Sequence, residues 1–260
     1  MPLPDALRPL AASAPDALLV LDFDGTISAI VEHPADAVAI EGVVDTLCEL
    51  TSFMTVAFIT GRPVDWLVEA TAPCAEHGVE YIGLHGHERL REGAIVPHPE
   101  SGKWRHHVTA IHERAAATAP ADVVLEPKGL GLALHFRTSP TAEAWIRDFT
   151  AAAALETGLV AHDTRYAVEL RPPVDLDKGD AMRELVSDYH PRAVAFFGDD
   201  VVDIPAVAAM REFSDVAGAA VFVENVEGPR EFASIADLVL PSPLAAAEAL
   251  AALLVEVTRP

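Results

Sequence analysis

Asp22 and Asp24 stand one residue apart at the end of an apolar run, LLVLDFDGT at residues 18–26. Carboxylates at i and i+2 of a chain leaving a strand can share one small volume, which costs free energy unless a proton or a cation lies between them. Mg2+ meets that need, since it takes oxygen ligands and keeps company with phosphate. The device recurs in VAFFGDDVVD at 194–203, where Gly198 is followed by Asp199, Asp200 and Asp203. A third run, TVAFITGRP, ends in Thr60, Gly61 and Arg62. A hydroxyl followed by glycine at a strand end offers a side-chain donor and free backbone N–H groups to an anion, so these residues, with Arg62 beside them, are expected to contact substrate. Lys178, in DKGD just ahead of a helix-like stretch, falls near a helix start. One acidic turn after a strand is ordinary, because Asp and Gly are turn residues. Several strand ends carrying such groups in one chain point instead to a metal-assisted reaction of a phosphate.

The elements that must position these groups read as an α/β fold. Four consecutive aliphatic residues fit a strand buried on both faces, and open α/β sheets bind ligands at the carboxyl ends of such strands. Up to residue 99, apolar strands (18–21, 55–59, 81–84) alternate with helical stretches (42–50, 64–70), the signature of a parallel sheet. His85 and His87 follow one of these strand ends and are expected to border the same cleft. The chain holds eleven histidines, including the adjacent His106 and His107, but zinc wants a denser His and Cys set at motif spacing. From Trp104 the rhythm changes. A helix (106–117), a hairpin (123–128 and 132–137), a second helix (141–154) and a second hairpin (159–163 and 166–171) form an α+β insert of two similar halves. Pro97 and Pro99 precede it, and Pro172 and Pro173 follow it. The predicted organisation is therefore a core of 1–102 and 173–260 interrupted by a cap of 103–172. A lid of this kind excludes water and adds substrate contacts.

Composition narrows the class. With 260 residues, 51% of them hydrophobic, the chain can bury a sizeable core and carry an insert. A formal charge of −22 argues against nucleic acid, and it requires an anionic substrate to be drawn in by local positive charge. Cys48 and Cys74 lie in no CxxC pattern and read as reduced, buried thiols. No continuous apolar segment suits a leader peptide or a membrane span, so a cytoplasmic protein without a membrane partner is expected. The alanine-rich stretch at 244–254 reads as a helix packed on the core.

The order of the motifs resembles the haloacid dehalogenase superfamily of phosphatases, with its DxD signature, a Ser or Thr, a Lys and a terminal acidic cluster. The resemblance implies a Rossmann-like core and a Mg2+ cofactor. It further implies that Asp22 is the nucleophile, forming an aspartyl-phosphate, that Asp24 is the general acid and base, and that Thr60 and Lys178 hold the phosphoryl group. The metal would take the Asp22 carboxylate, the Asp24 backbone carbonyl and Asp199, with Asp200 or Asp203 ordering coordinated water or Lys178. An Asp at the second position of the signature points to a phosphatase or a phosphomutase.

The insert, its position and further segments are similar to the trehalose-6-phosphate phosphatases. These segments are EHPAD at 32–36, GLHGHE at 83–88, LEPKGLGLALHFR at 125–137, VELRPP at 168–173 and KGDAM at 178–182. In that family polar residues on cap strands bind sugar hydroxyls, which on this chain would be Glu126, Lys128, His135, Arg137 and Glu169. The resemblance implies a small sugar phosphate as substrate and a place alongside a trehalose-6-phosphate synthase. Where the family often has GDDxTDED, this chain has GDDVVDIP, so Ile204 and Pro205 remove two polar groups. Sucrose phosphate, mannosylglycerate phosphate or a hexose phosphate remain alternative substrates, and a phosphomutase or a non-catalytic sugar-phosphate binder remain alternative classes.

Overall fold

The computed structural model describes residues 2–31, 33–164, 166–225 and 230–259; Glu32, the first residue of the EHPAD segment, lies outside them. Among the described residues the strands are β1 (Ala17–Leu21), β2 (Thr55–Ile59), β3 (Glu80–Gly83), β4 (Glu88–Arg91), β5 (Ala94–Pro97), β6 (Val124–Pro127), β7 (Leu132–His135), β8 (Val160–Thr164), β9 (Ala167–Arg171), β10 (Ala193–Gly198), β11 (Ala217–Val223) and β12 (Leu238–Leu240). The chain divides into two compact units, one of Met1–Ile95 with Leu176–Pro260 and one of Val96–Asp175.

The first unit is built on the sheet β12-β11-β10-β1-β2-β3-β4-β5. At its centre β1 runs parallel to both β10 and β2, with Leu21 opposite Phe197 on one side and Phe58 on the other. Alternation along β1 explains why the run is apolar throughout. Leu19 and Leu21 enter a core with Val56, Phe58, Phe197 and the helices Val43–Leu50 and Pro243–Val257, while Leu18 and Val20 enter a second core with Ile59, Phe196 and the helices Lys178–Tyr189 and Ile204–Met210. The alanine-rich C-terminal stretch thus packs on the sheet. Cys48 and Cys74 are free and buried, their Sγ atoms 2.8 Å apart, and burial pushes the Cys74 thiol above its ordinary range.

The mainly parallel sheet carries an antiparallel edge. After β3 the chain turns back, so that β4 pairs antiparallel with it, Ile82 opposite Arg89 and Gly83 opposite Glu88. The β4–β5 hairpin escapes a hydrophobic reading because ERLR carries charges where a strand would show apolar residues. Arg89 is nonetheless buried, its guanidinium held by Glu80 at 2.8 Å and Asp188 at 2.7 Å. The signal that remained was Glu92-Gly93, both at positive φ, which suits a tight hairpin turn whose twist matches its strands.

The second unit holds the antiparallel sheet β6-β7-β9-β8 and the helices Arg105–Thr118 and Glu143–Thr157. Leu132, Leu134, Val168 and Leu170 pack with Val108, Ile111, Ile146 and Ala153 of those helices. Period-two alternation then turns Glu126, Ala133 and Glu169, which are aligned across β6, β7 and β9, to the opposite face. Among the described residues no helix is long and apolar enough to cross a membrane.

Because Leu19 is fully buried at the centre of the larger sheet, Leu19→Ala is expected to lower unfolding stability by about 2–5 kcal/mol, measured by urea denaturation. A loss below half a kcal/mol would mean that this position is not part of a packed core.

Candidate active site

Three strand ends meet at the carboxyl edge of the larger sheet. Asp22 leaves β1 still in register, its N–H donating to the Phe197 carbonyl at 2.9 Å. The chain then turns sharply, with the Phe23 carbonyl accepting from the N–H groups of Ile27 and Ser28. Gly25 makes this turn possible: its φ is +72°, and a Cβ there would stand 2.0 Å from Asp199 Oδ2. At the end of β10 a side chain on Gly198 would likewise meet Asp203 Oδ2 at 2.5 Å.

Lys178 begins the helix Lys178–Tyr189, whose start is fixed by a capping box between Asp177 and Asp180. Its Nζ reaches Asp203 Oδ1 at 2.6 Å and Asp22 Oδ2 at 2.9 Å, and its side chain is 1% exposed. Asp203 is fully buried, and its other oxygen accepts from the backbone N–H groups of Asp199 at 2.9 Å and Asp200 at 3.0 Å. Asp203 therefore fastens the Asp199–Asp203 loop to Lys178. Burial works against the Lys178 charge, but Asp203 and Asp22 outweigh it and hold its proton more tightly than usual.

Asp22, Asp199 and Asp203 bring carboxylate oxygens within 4.8 Å of one another, all buried. Asp199 accepts from Asn225 Nδ2 at 2.6 Å and from Thr26 Oγ1 at 3.4 Å. Burial, reinforced by the neighbouring carboxylates, pushes Asp199 up to about 9; burial also raises Asp22 to about 6 although Lys178 opposes it. Among the described residues Asp22 Oδ1, which is buried, has no hydrogen-bond partner. A partnerless buried carboxylate oxygen beside two further carboxylates suits a hard divalent cation, which would satisfy it and neutralise the cluster. Asp200 stands apart from this group, exposed and capping the N–H of Val201 at 2.6 Å. Asp24 also turns away from it, its carboxylate held by Arg62.

Thr60, Gly61, Arg62 and His85 lie together. Thr60 is buried, and its carbonyl accepts from the N–H of His85 at 2.9 Å. The His85 ring covers Gly61 so closely that a Cβ there would lie 2.9 Å from it. In the second unit, Glu126 Oε2 lies 2.8 Å from His135 Nε2 and 3.9 Å from Lys128 Nζ, which is 3.7 Å from Glu169 Oε2. Four of the five expected sugar-binding residues thus form one polar group. Arg137 does not join it: its guanidinium stacks over Tyr166 at 4.7 Å.

Sequence reasoning passed over Asn225, Thr26 and the partner of Asp24. Asn225 had a usable signal, since it stands two residues beyond the apolar strand β11, as Asp199 stands just beyond β10.

The family model for trehalose-phosphatase matches residues 20–241. A trehalose-phosphate phosphatase of Mycobacterium marinum is 30% identical over 260 residues, covering 94% of this chain and 64% of that protein. The chain thus spans a little under two thirds of that curated relative's length. Among solved structures, a trehalose-6-phosphate phosphatase related protein superposes with a TM-score of 0.75 at 20% identity, over 92% of this chain and 97% of its own. A haloacid dehalogenase-like hydrolase from Bacteroides thetaiotaomicron gives 0.63 at 14% identity, over 90% and 98%. These two likenesses establish the α/β fold with its mainly parallel sheet.

The raised carboxylates make stability depend on pH and on cations. Asp22 and Asp199 hold protons more tightly when folded than when unfolded, where an Asp titrates near about 3.9. Their cost to stability is therefore absent below that pH and grows as pH rises through about 6 and about 9. A bound divalent cation removes that cost. Thermal unfolding in chelator is expected to show Tm falling between pH 5 and pH 8 from these groups, and added Mg2+ to raise Tm more at pH 8 than at pH 5. Equal responses at the two pH values would refute the cation site.

Proposed function

The chain belongs to the trehalose-phosphatase family, and from that premise we propose that it is a Mg2+-dependent phosphatase that hydrolyses trehalose 6-phosphate to trehalose and phosphate. The observation that carries the reading is the Asp22 carboxylate, which has one oxygen on a buried ammonium and the other buried with no partner among the described residues.

Asp22 attacks phosphorus while the bond to the sugar oxygen breaks, and Asp24 gives that oxygen its proton. The phosphoryl group then resides on Asp22. Asp24 next takes a proton from water as the water oxygen attacks phosphorus, which frees phosphate and restores Asp22. Dividing one difficult displacement into two is the gain from a covalent route. Mg2+, held by Asp22 and Asp199, would supply positive charge to the phosphoryl oxygens. Lys178 lies against Asp22 and supplies the remaining charge that a dianionic ester needs to approach a carboxylate. Thr60 donates its hydroxyl to a phosphoryl oxygen. Asp203 serves by holding Lys178 and the loop bearing Asp199. Thr26 and Asn225 orient the Asp199 carboxylate.

Substrate choice would come from Glu126, Lys128, His135 and Glu169. A disaccharide presents many hydroxyls and little apolar surface, which suits charged hydrogen-bond partners. A synthase that makes trehalose 6-phosphate would supply the substrate.

A phosphate-release panel of trehalose 6-phosphate, sucrose 6-phosphate, mannosylglycerate phosphate and glucose 6-phosphate, with and without chelation, tests the reading. Trehalose 6-phosphate is expected to lead, with activity abolished by chelator; a clear preference for glucose 6-phosphate would reverse the substrate assignment. Asp22→Asn is expected to lower kcat on the order of 10^5-fold while the protein stays folded by circular dichroism.

A further inference from the structure

Asp24 and Arg62 form a pair that neither the sequence motifs nor the family likeness assigns. The Arg62 Nε donates to Asp24 Oδ2 at 2.7 Å and Nη2 donates to Asp24 Oδ1 at 2.6 Å, so the guanidinium grips the carboxylate with a two-pronged edge. Its Nη1 donates to the carbonyl of Pro34 at 2.8 Å. Its flat face lies 4.1 Å over the Trp66 ring, and Trp66 packs edge-on against Phe23, the buried residue between Asp22 and Asp24. The Arg62 backbone is fastened as well, its N–H donating to Thr60 Oγ1 at 3.3 Å and its carbonyl accepting from Leu84 at 3.0 Å. The side chain is 11% exposed.

We propose that Arg62 is the positioning residue of Asp24, acting on proton transfer through that carboxylate instead of holding substrate itself; this deepens the phosphatase reading and rests on it. An arginine kept for a phosphate would offer its forked edge to the anion, because the fork is what matches phosphate geometry. Here the fork is occupied by Asp24. A catalytic carboxylate must be held within about 0.5 Å of its working position, and one that leaves a strand end on a glycine turn has little else to hold it. Arg62 supplies that hold without consuming the carboxylate, since each carboxylate oxygen has a second lone pair. One oxygen can therefore carry the proton that passes to the sugar oxygen as its bond to phosphorus breaks. The same oxygen can receive the proton of water as the bond from phosphorus to Asp22 is cleaved.

The role separates two kinds of ester. A sugar oxygen leaves as a poor alkoxide and needs the proton, whereas 4-nitrophenolate leaves without one; both pathways need the base for the second step. Parent, Arg62→Ala and Arg62→Lys proteins loaded with Mg2+ are compared on trehalose 6-phosphate and 4-nitrophenyl phosphate, by steady-state and rapid-mixing kinetics. For Arg62→Ala we expect kcat on trehalose 6-phosphate to fall by about 10^2-fold with KM near the parent value. On 4-nitrophenyl phosphate a burst approaching one nitrophenolate per enzyme should precede slow turnover, as phosphorylated Asp22 waits for its base. Arg62→Lys keeps a charge but loses the fork, so it should show the same pattern with a smaller loss, and it decides the matter if Arg62→Ala does not fold. A raised KM on both esters with kcat intact and no burst would overturn the proposal and make Arg62 a substrate ligand. Parent-like kinetics in both variants would also overturn it. A parent protein that releases phosphate from neither ester overturns the phosphatase reading itself, an outcome distinct from both.

Discussion

A lysine ammonium sealed between two carboxylates organises the first unit. Lys178 is 1% exposed and lies within 3 Å of both Asp22 and Asp203. Burying three charges costs several kcal/mol per ion in real proteins, and the mutual attraction offsets this only when the geometry is close and the remaining lone pairs are used. The surroundings supply that. Asp203 spends its second oxygen on two backbone N–H groups of its own loop, and the Asp177–Asp180 capping box fixes the helix start from which Lys178 projects. Gly25 and Gly198 allow the acidic loops to approach to distances that a side chain would forbid. What this arrangement leaves unsatisfied is also informative. Among the described residues nothing partners the buried Asp22 Oδ1, and Asp199 is pushed up to about 9 by burial and its acidic neighbours, so one lysine does not suffice to keep all three carboxyls ionised.

The net charge of −22 gives this local balance its importance. The protein's overall field repels an anion, so attraction must come from a few cations set in a small volume where solvent screens them little. In the first unit Lys178 is such a cation, engaged by Asp22 and Asp203, whereas Arg62 is taken up by Asp24. In the second unit Glu126, Lys128, His135 and Glu169 bring acidic and basic groups together, so neither sign of charge dominates there.

Much of this was written into local patterns. The run at 18–21 fits a strand buried on both faces, and its residues do divide between two cores. The switch to helix–hairpin–helix–hairpin after Trp104 showed in the period of its apolar residues. The sheet edge at Glu88–Pro97 did not, because charged residues paired across the sheet can be buried there and so break the correlation between hydrophobicity and strand. Arg137, two residues beyond His135, has its guanidinium over Tyr166, a placement set by the path of the chain after β7.

The sequence by itself determined which strand ends are polar, that acids recur at two of them, and that a lysine opens a helix between them, since strand and helix periods and turn chemistry are properties of adjacent residues. Only the tertiary structure decided which of those groups face each other. Asp24 is matched with Arg62 across 38 residues, and Asp199 with Asn225 across 26. Such matches follow from the order of strands in the sheet and the direction in which each loop leaves its edge. Neither quantity is encoded in the spacing of residues along the chain.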